Sequence, residues 1–298
     1  MSPEQLQELF SPGNIRFMIV ALILGGIMLA GIGVDVFLLV YLRVRPLNMR
    51  RIKSRLRTRP WTWQEAGAII LALLALHGCV LVSMWALGNS GAYDERALTL
   101  FSLVIQSLLF PSVIILVVCW LVRVHGRSWG ESLGLNRRTL GRDILLGGGL
   151  YLAAMPILAF YTLVYFKLLE LLNFPIERQE IVRFLFDSDQ PIWIRVHMLL
   201  AAALAAPVVE EIFFRGIALP AVARHARPMA AAAIVSLCFA LMHFHVPSIM
   251  PLFIIAMAFS MGYLATGSLM VPMVMHAVFN TVSLTAMTLL KDMPDIPL

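Results

Sequence analysis

The sequence predicts an all-α fold, a polytopic transmembrane helical bundle of about eight spans. Three observations predict it. The chain is 60% hydrophobic and 13% charged, with a mean hydropathy of +0.86, which lies outside the range of an ordinary soluble domain. Its apolar residues gather in runs of about twenty, the length needed to cross a hydrocarbon core ~30 Å thick. Helices satisfy their own backbone hydrogen bonds in lipid, so runs of this length are read as helices.

The spans follow in order. The first is Phe17–Leu42, the second Ala66–Leu87, the third Ala97–Val122 and the fourth Ile144–Phe166. The fifth, Ile194–Val222, holds the two glutamates Glu210 and Glu211. Met229–His243 and Pro251–Ala265 are short for a span, which implies tilt or screening by neighbours. Pro272–Leu290 is the eighth. The segment Met1 to Arg16 carries Glu4, Glu8 and one arginine, and lacks the basic flank and short apolar core of a cleaved signal. The first span is therefore expected to be a permanent anchor. Cys79, Cys119 and Cys238 all fall inside apolar runs and read as small buried side chains. Gly147-Gly148-Gly149 lacks the Lys-Ser/Thr of a phosphate loop and reads as close helix packing.

Basic residues set the orientation. Eight of the 23 lie between Arg43 and Arg59, five lie between 123 and 143, and Arg224 and Arg227 follow the fifth span. The other side holds seven, among them Arg178, Arg183 and Lys291. The arginine-rich loops are placed in the cytoplasm and both termini outside. The net charge of +6 then reflects juxtamembrane arginines facing lipid headgroups, not nucleic-acid binding. The segment Pro60-Trp61-Thr62-Trp63 reads as interfacial, because tryptophans favour the headgroup level. The chain divides into N-terminal helices with basic cytoplasmic loops (1–143) and a C-terminal core (144–298).

Chemistry is concentrated in that core. Glu210-Glu211-Ile212-Phe213-Phe214-Arg215 places two acids and a base in an apolar run. Ionised groups at that depth cost at least ~2.5–3.5 kcal/mol each, so they pair, face water or react. Glu211 and Arg215 are four apart, share a helical face and can pair. Glu210 is turned by about 100° and is left for another task. Two later runs supply partners, Phe239 through His243 and His276 through Asn280, the outer residues of each again four apart. Depth is a partial test. Glu210 is ~21 Å from Arg224, and His243 is ~21 Å from Met229, whereas His276 is only ~9 Å past Met270. A re-entrant turn over Thr266–Val271 would reduce that mismatch. Elsewhere, His77 and Gln106 read as hydrogen-bonding or packing residues, His245 as either a residue at the aqueous edge or a substitute ligand, and Asp35 as an acid that either pairs with another helix or marks a polar path.

Glu-Glu-x-x-x-Arg, Phe-x-x-x-His and His-x-x-x-Asn, in this order on apolar helices, resemble the intramembrane CAAX protease and bacteriocin-processing family. The loop from Gly126 to Leu135 is similar to the family's segment ahead of its core. The resemblance runs from Ser128 to Leu290 and implies an intramembrane endopeptidase with its catalytic core in the C-terminal half. It implies that Glu210 is the general base and that His243 helps hold the water. His276 and Asn280 are implied as donors to the oxyanion. Glu211, Arg215 and Phe239 are implied as supports. Two chemistries stay open. One is a metal-free glutamate protease, favoured because no His-Glu-x-x-His helix is present; the other is a zinc site of Glu210, His243 and His276. The implied partners are a peptide or protein substrate at the membrane and the lipid bilayer. Heavy arginine use and the lack of a targeting signal point to a bacterial inner membrane. The rival readings are a non-catalytic peptide-binding or bacteriocin-immunity protein of the same fold, and a transporter, for which inverted repeats are expected and none is visible.

Overall fold

A computed structural model of the chain describes residues 12–91, 93–176 and 191–290. Residues 177–190 lie outside the described residues, and Glu4, Glu8, Arg178, Arg183 and Lys291 are likewise not described. Among the described residues there are no strands. Seven helices are long and apolar enough to cross a membrane, and an eighth apolar helix is shorter. The protein is a multi-pass integral membrane protein.

The first helix, α1 (Pro12–Val44), lies along α6 (Leu140–Leu171). They pack tightly at Gly31, where an added Cβ would run into the Leu152 carbonyl and the Pro156 ring. Between them in sequence come α2 (Met49–Arg57), α3 (Trp63–Asn89), α4 (Glu95–Val124) and the single turn α5 (Trp129–Leu133). Capping side chains start each of these four: Asn48, Thr62 with Glu65, Asp94, and Ser128 with Glu131. The α2 helix buries only Ile52 and Leu56, and its arginines and lysine occupy the other faces. It therefore lies across the ends of the spans. The core continues with α7 (Ile192–Ala223), α8 (Pro228–Leu241), α9 (Val246–Thr266) and α10 (Met270–Leu290).

Several expectations are revised. The seventh span is not short: Pro251 falls inside α9, which has 21 residues. Pro251 is near the helix start, so its missing N–H frees only one early carbonyl. The sixth span does stay short, its 14 residues rising ~21 Å. It stops at Leu241, so His243 sits in the turn beyond the helix. Trp61 does not face outward. It is fully buried and its indole N–H donates to the Ser132 carbonyl at 2.8 Å, whereas Trp63 is exposed. Cys79 and Cys238 are exposed, not buried, because their faces of the helices look outward, where a thiol behaves as a small apolar group. Gln106 and His77 meet between α3 and α4 at 3.2 Å.

One end of the bundle is sewn together by arginines. Arg59 is buried and donates to the carbonyls of Gly130 (2.9 Å), Glu131 (2.6 Å) and Gly267 (3.0 Å). Arg55 donates to the Leu264 carbonyl, and Arg224 donates to the Arg59 carbonyl at 2.8 Å. Burial shifts the Arg55 guanidinium below the usual arginine range, with the nearby Arg59 and Arg51 acting in the same direction. The carbonyls of Leu264 and Gly267 close α9, so the cations also sit where the helix end needs donors. The turn they hold is recessed: Leu269 and Val271 are fully buried. Gly134, with φ 84°, touches it so closely that a Cβ would lie 2.1 Å from the Gly267 carbonyl.

Candidate active site

The site is built on α7, which departs from regular helix twice. Residues Ala201–Ala205 and Ile212–Ala218 form wider, π-helical turns. Pro207 and Pro220 each follow within two residues of these segments. Proline lacks the N–H that would bond four residues back, and its ring crowds that carbonyl. Widening the preceding turn relieves the crowding, as at π-bulges generally. A carbonyl in such a turn looks five residues ahead for its donor. For Ala202 that residue is Pro207, which has none. The Asn280 side-chain amide on α10 supplies it, donating to the Ala202 carbonyl at 2.7 Å.

Between the two prolines lie the glutamates. Glu211 is fully buried and Glu210 retains 34% side-chain exposure. Arg215 is fully buried too; its Nη1 donates to Glu211 Oε1 at 2.7 Å. Its Nη2 donates to the Ala256 carbonyl at 2.9 Å and its Nε reaches Ser260 Oγ at 3.4 Å. Ser236 Oγ on α8 lies 3.1 Å from Ser260 Oγ. The guanidinium also faces the rings of Phe239 (5.0 Å) and Phe259 (5.3 Å). The cation thereby has its hydrogen bonds and counter-charge, without which its burial would be prohibitive.

His276 is buried at the same level, which settles the depth mismatch. Its Nδ1 is 2.9 Å from Glu211 Oε1 and its Nε2 is 3.7 Å from Glu210 Oε2. The count from Met270 misjudged the level because it started at the α9–α10 turn, which is buried within the bundle beneath the Arg55 and Arg59 knot. Phe259 stacks on the imidazole at 4.8 Å and Phe239 meets it edge-on at 5.7 Å.

Residues 191–282 match the family model described as Rce1-like, type II CAAX prenyl endopeptidase. The match supports an intramembrane endopeptidase of that general kind. Comparison with curated proteins and with solved structures gave no match.

The matched segment contains every motif residue from Glu210 to Asn280, while the 126–135 loop lies outside it. Within it, Glu210, Glu211, Arg215 and His276 form one connected cluster. His243 stands apart: its Nδ1 is 2.8 Å from the Phe239 carbonyl and its ring is 4.9 Å from the Phe239 ring, but it has no ion pair with Glu210. The Phe239 ring contacts both histidines. Asn280 is turned toward Ala202. Among the described residues no three His, Cys, Asp or Glu side chains gather closely enough to hold a metal ion. The residues Glu210, His243 and His276 thus do not fit a three-ligand zinc site in this arrangement. His245 bonds Ser248 at 2.7 Å. Asp35 is half-buried, and among the described residues no hydrogen bond or ion pair reaches it. Phe259, Ser260, Ser236 and the Ala202 and Ala256 carbonyls are parts of the site that sequence reasoning missed. Backbone groups leave no mark in a sequence, and a serine in an apolar span reads as packing.

Proposed function

We propose that the chain is an intramembrane endopeptidase that hydrolyses a peptide bond of a membrane-associated or C-terminal peptide through a water activated by Glu210. The observation that carries this reading is the division of labour between two adjacent acids. Glu211 is closed off by Arg215 and His276, whereas Glu210 is the exposed one and faces His276 Nε2. A carboxylate held there is suited to take a proton from water as it attacks the scissile carbonyl. The oxygen of that carbonyl then gains charge. His276 Nε2 is placed to donate to it, and because Nδ1 already donates to Glu211, this requires the doubly protonated ring. Glu211 supplies the balancing charge, in the manner of the acid behind the histidine of a hydrolytic triad. Phe259 and Phe239 hold the ring plane. Asn280 braces the π-helical turn ahead of the glutamates, and its second role is as an oxyanion donor when substrate displaces water nearby. His243, at the end of the short α8, lines the approach to the cluster.

The test is a peptide-library digest by the full chain in detergent, with and without chelator, compared with Glu210→Gln. Loss of Glu210 should lower the rate about 10²–10⁴-fold and leave thermal unfolding unchanged, since that carboxylate is partly exposed. Cleavage that survives the substitution would remove hydrolysis by Glu210 and favour the peptide-binding reading. Cleavage unaffected by chelator is expected; abolition that zinc restores would overturn the metal-free mechanism.

A further inference from the structure

The basic end of the bundle contains a recess of about 430 Å³ that none of the chemistry above uses. It is lined by Arg57, Thr62, Trp63, Gln64, Arg224 and His225. Three elements converge on it: the last residue of α2, the first turn of α3 and the end of α7. Its lining contains two guanidiniums, an imidazole, an indole and a primary amide, and no acid. The acid closest in sequence, Glu65, has its oxygens taken by Thr62 and His125. Among the described residues, no hydrogen bond or ion pair reaches the side chains of Arg57 and His225. Arg224 gives one Nη to the Arg59 carbonyl, and its buried Nε has no partner.

A concave surface of donors with positive charge left over is complementary to a phosphate, whose oxygens accept from guanidinium in a fixed fork. The level adds a second argument. Trp63 opens the α3 span and is 62% exposed, where an indole sits among headgroups, and Arg224 closes the α7 span at the same end. We propose that this recess is a phosphate-binding site at the membrane boundary, filled by the phosphodiester of an anionic lipid headgroup or by a free phosphate. Arg57 and Arg224 hold the anion and Trp63 lies against the glycerol region. Arg59 is outside the site: it does not line the recess, and its two terminal nitrogens donate to Gly130, Glu131 and Gly267.

The experiment reads Trp63 fluorescence, as the difference between the full-length chain and its Trp63→Phe variant. The protein is reconstituted in phosphatidylcholine vesicles. Phosphatidylglycerol or phosphatidylcholine brominated near the headgroup is then titrated in. Phosphatidylglycerol should quench at a mole fraction about fivefold lower per arginine engaged. Arg57→Gln should lower that preference about fivefold without changing thermal unfolding. Arg45→Gln, which removes the same charge elsewhere on this end, should leave it intact. In detergent without lipid, inorganic phosphate is added alone: a saturable Trp63 change lost in Arg57→Gln identifies free phosphate as an occupant. Equal quenching by both lipids with no response to phosphate would overturn the site. So would a preference that Arg45→Gln lowers as much as Arg57→Gln, since general surface charge would then explain it.

Discussion

Replacing Arg215 with Met removes a cation that is fully buried and bonded to Glu211 Oε1 at 2.7 Å and to the Ala256 carbonyl at 2.9 Å. Glu211 remains, equally buried, with Oε2 already lacking a partner and only His276 Nδ1 to answer its charge. Removing one member of a buried ion pair costs about 3–5 kcal/mol, because the survivor keeps its desolvation penalty. That is a large share of a folding free energy of about 5–15 kcal/mol. Removing both charges, in Glu211→Leu with Arg215→Met, should recover most of the loss, since well-packed apolar replacements of buried pairs are neutral or stabilising by about 1–4 kcal/mol. Activity should not return with stability, because His276 then has no acid behind Nδ1. Unfolding is followed by tryptophan fluorescence as SDS is titrated into mixed micelles, with peptide cleavage measured in parallel. A single variant that costs less than about 1 kcal/mol, the range of an exposed pair, would refute the reasoning. So would a double variant no more stable than the single.

Asn280→Ala should lower stability by about 1–3 kcal/mol, because the Ala202 carbonyl loses its donor and Pro207 has no N–H to offer. Asn280→Asp, which offers no donor when ionised, should not restore it; denaturant midpoints check both. Gly134→Ala should destabilise by about 1–3 kcal/mol, since the site combines φ 84° with a Cβ 2.1 Å from the Gly267 carbonyl. A thermal melt no lower than that of the unaltered chain would be the contrary result. Glu131, outside the spans, is held below the ordinary glutamate range chiefly by the Ser128 backbone N–H and also by its hydroxyl. A depressed carboxyl stabilises the fold above its unfolded pKa, and that contribution is lost as pH falls through the folded value. The α5 turn should therefore loosen at acid pH below the ordinary glutamate range. Trp129 emission should report an acid transition that Glu131→Gln abolishes.

Most of the spans were legible because their apolar runs are long enough to cross lipid, the short α8 being the exception. Trp61 and Trp63 show where that reading stops. They are two residues apart with the same interfacial preference, yet one is buried against Ser132 and the other is exposed, because the Arg59 knot turns the chain between α2 and α3 inward. Of the candidate site, the Glu211–Arg215 spacing and the three motifs could be read from the chain. The level of His276 could not, because it depends on how deep the Gly267–Leu269 turn is buried. Pro207 and Pro220 are plain in the sequence, but the widened turns ahead of them are not, nor is the debt of one donor that Asn280 meets. Ser260 and Phe259 carry no signal of their own within an apolar helix; only the packing of α9 against α7 and α10 brings them to Arg215 and His276.

A single oxygen, Glu211 Oε1, joins Arg215 to a histidine 65 residues further along the chain. Nothing upstream can stand in for that last helix. The two acids and the imidazole behind them thus come from helices far apart in the chain, and only the packing of α10 on α7 joins them. On the proposed reading the site is therefore complete only once α10 is packed against α7.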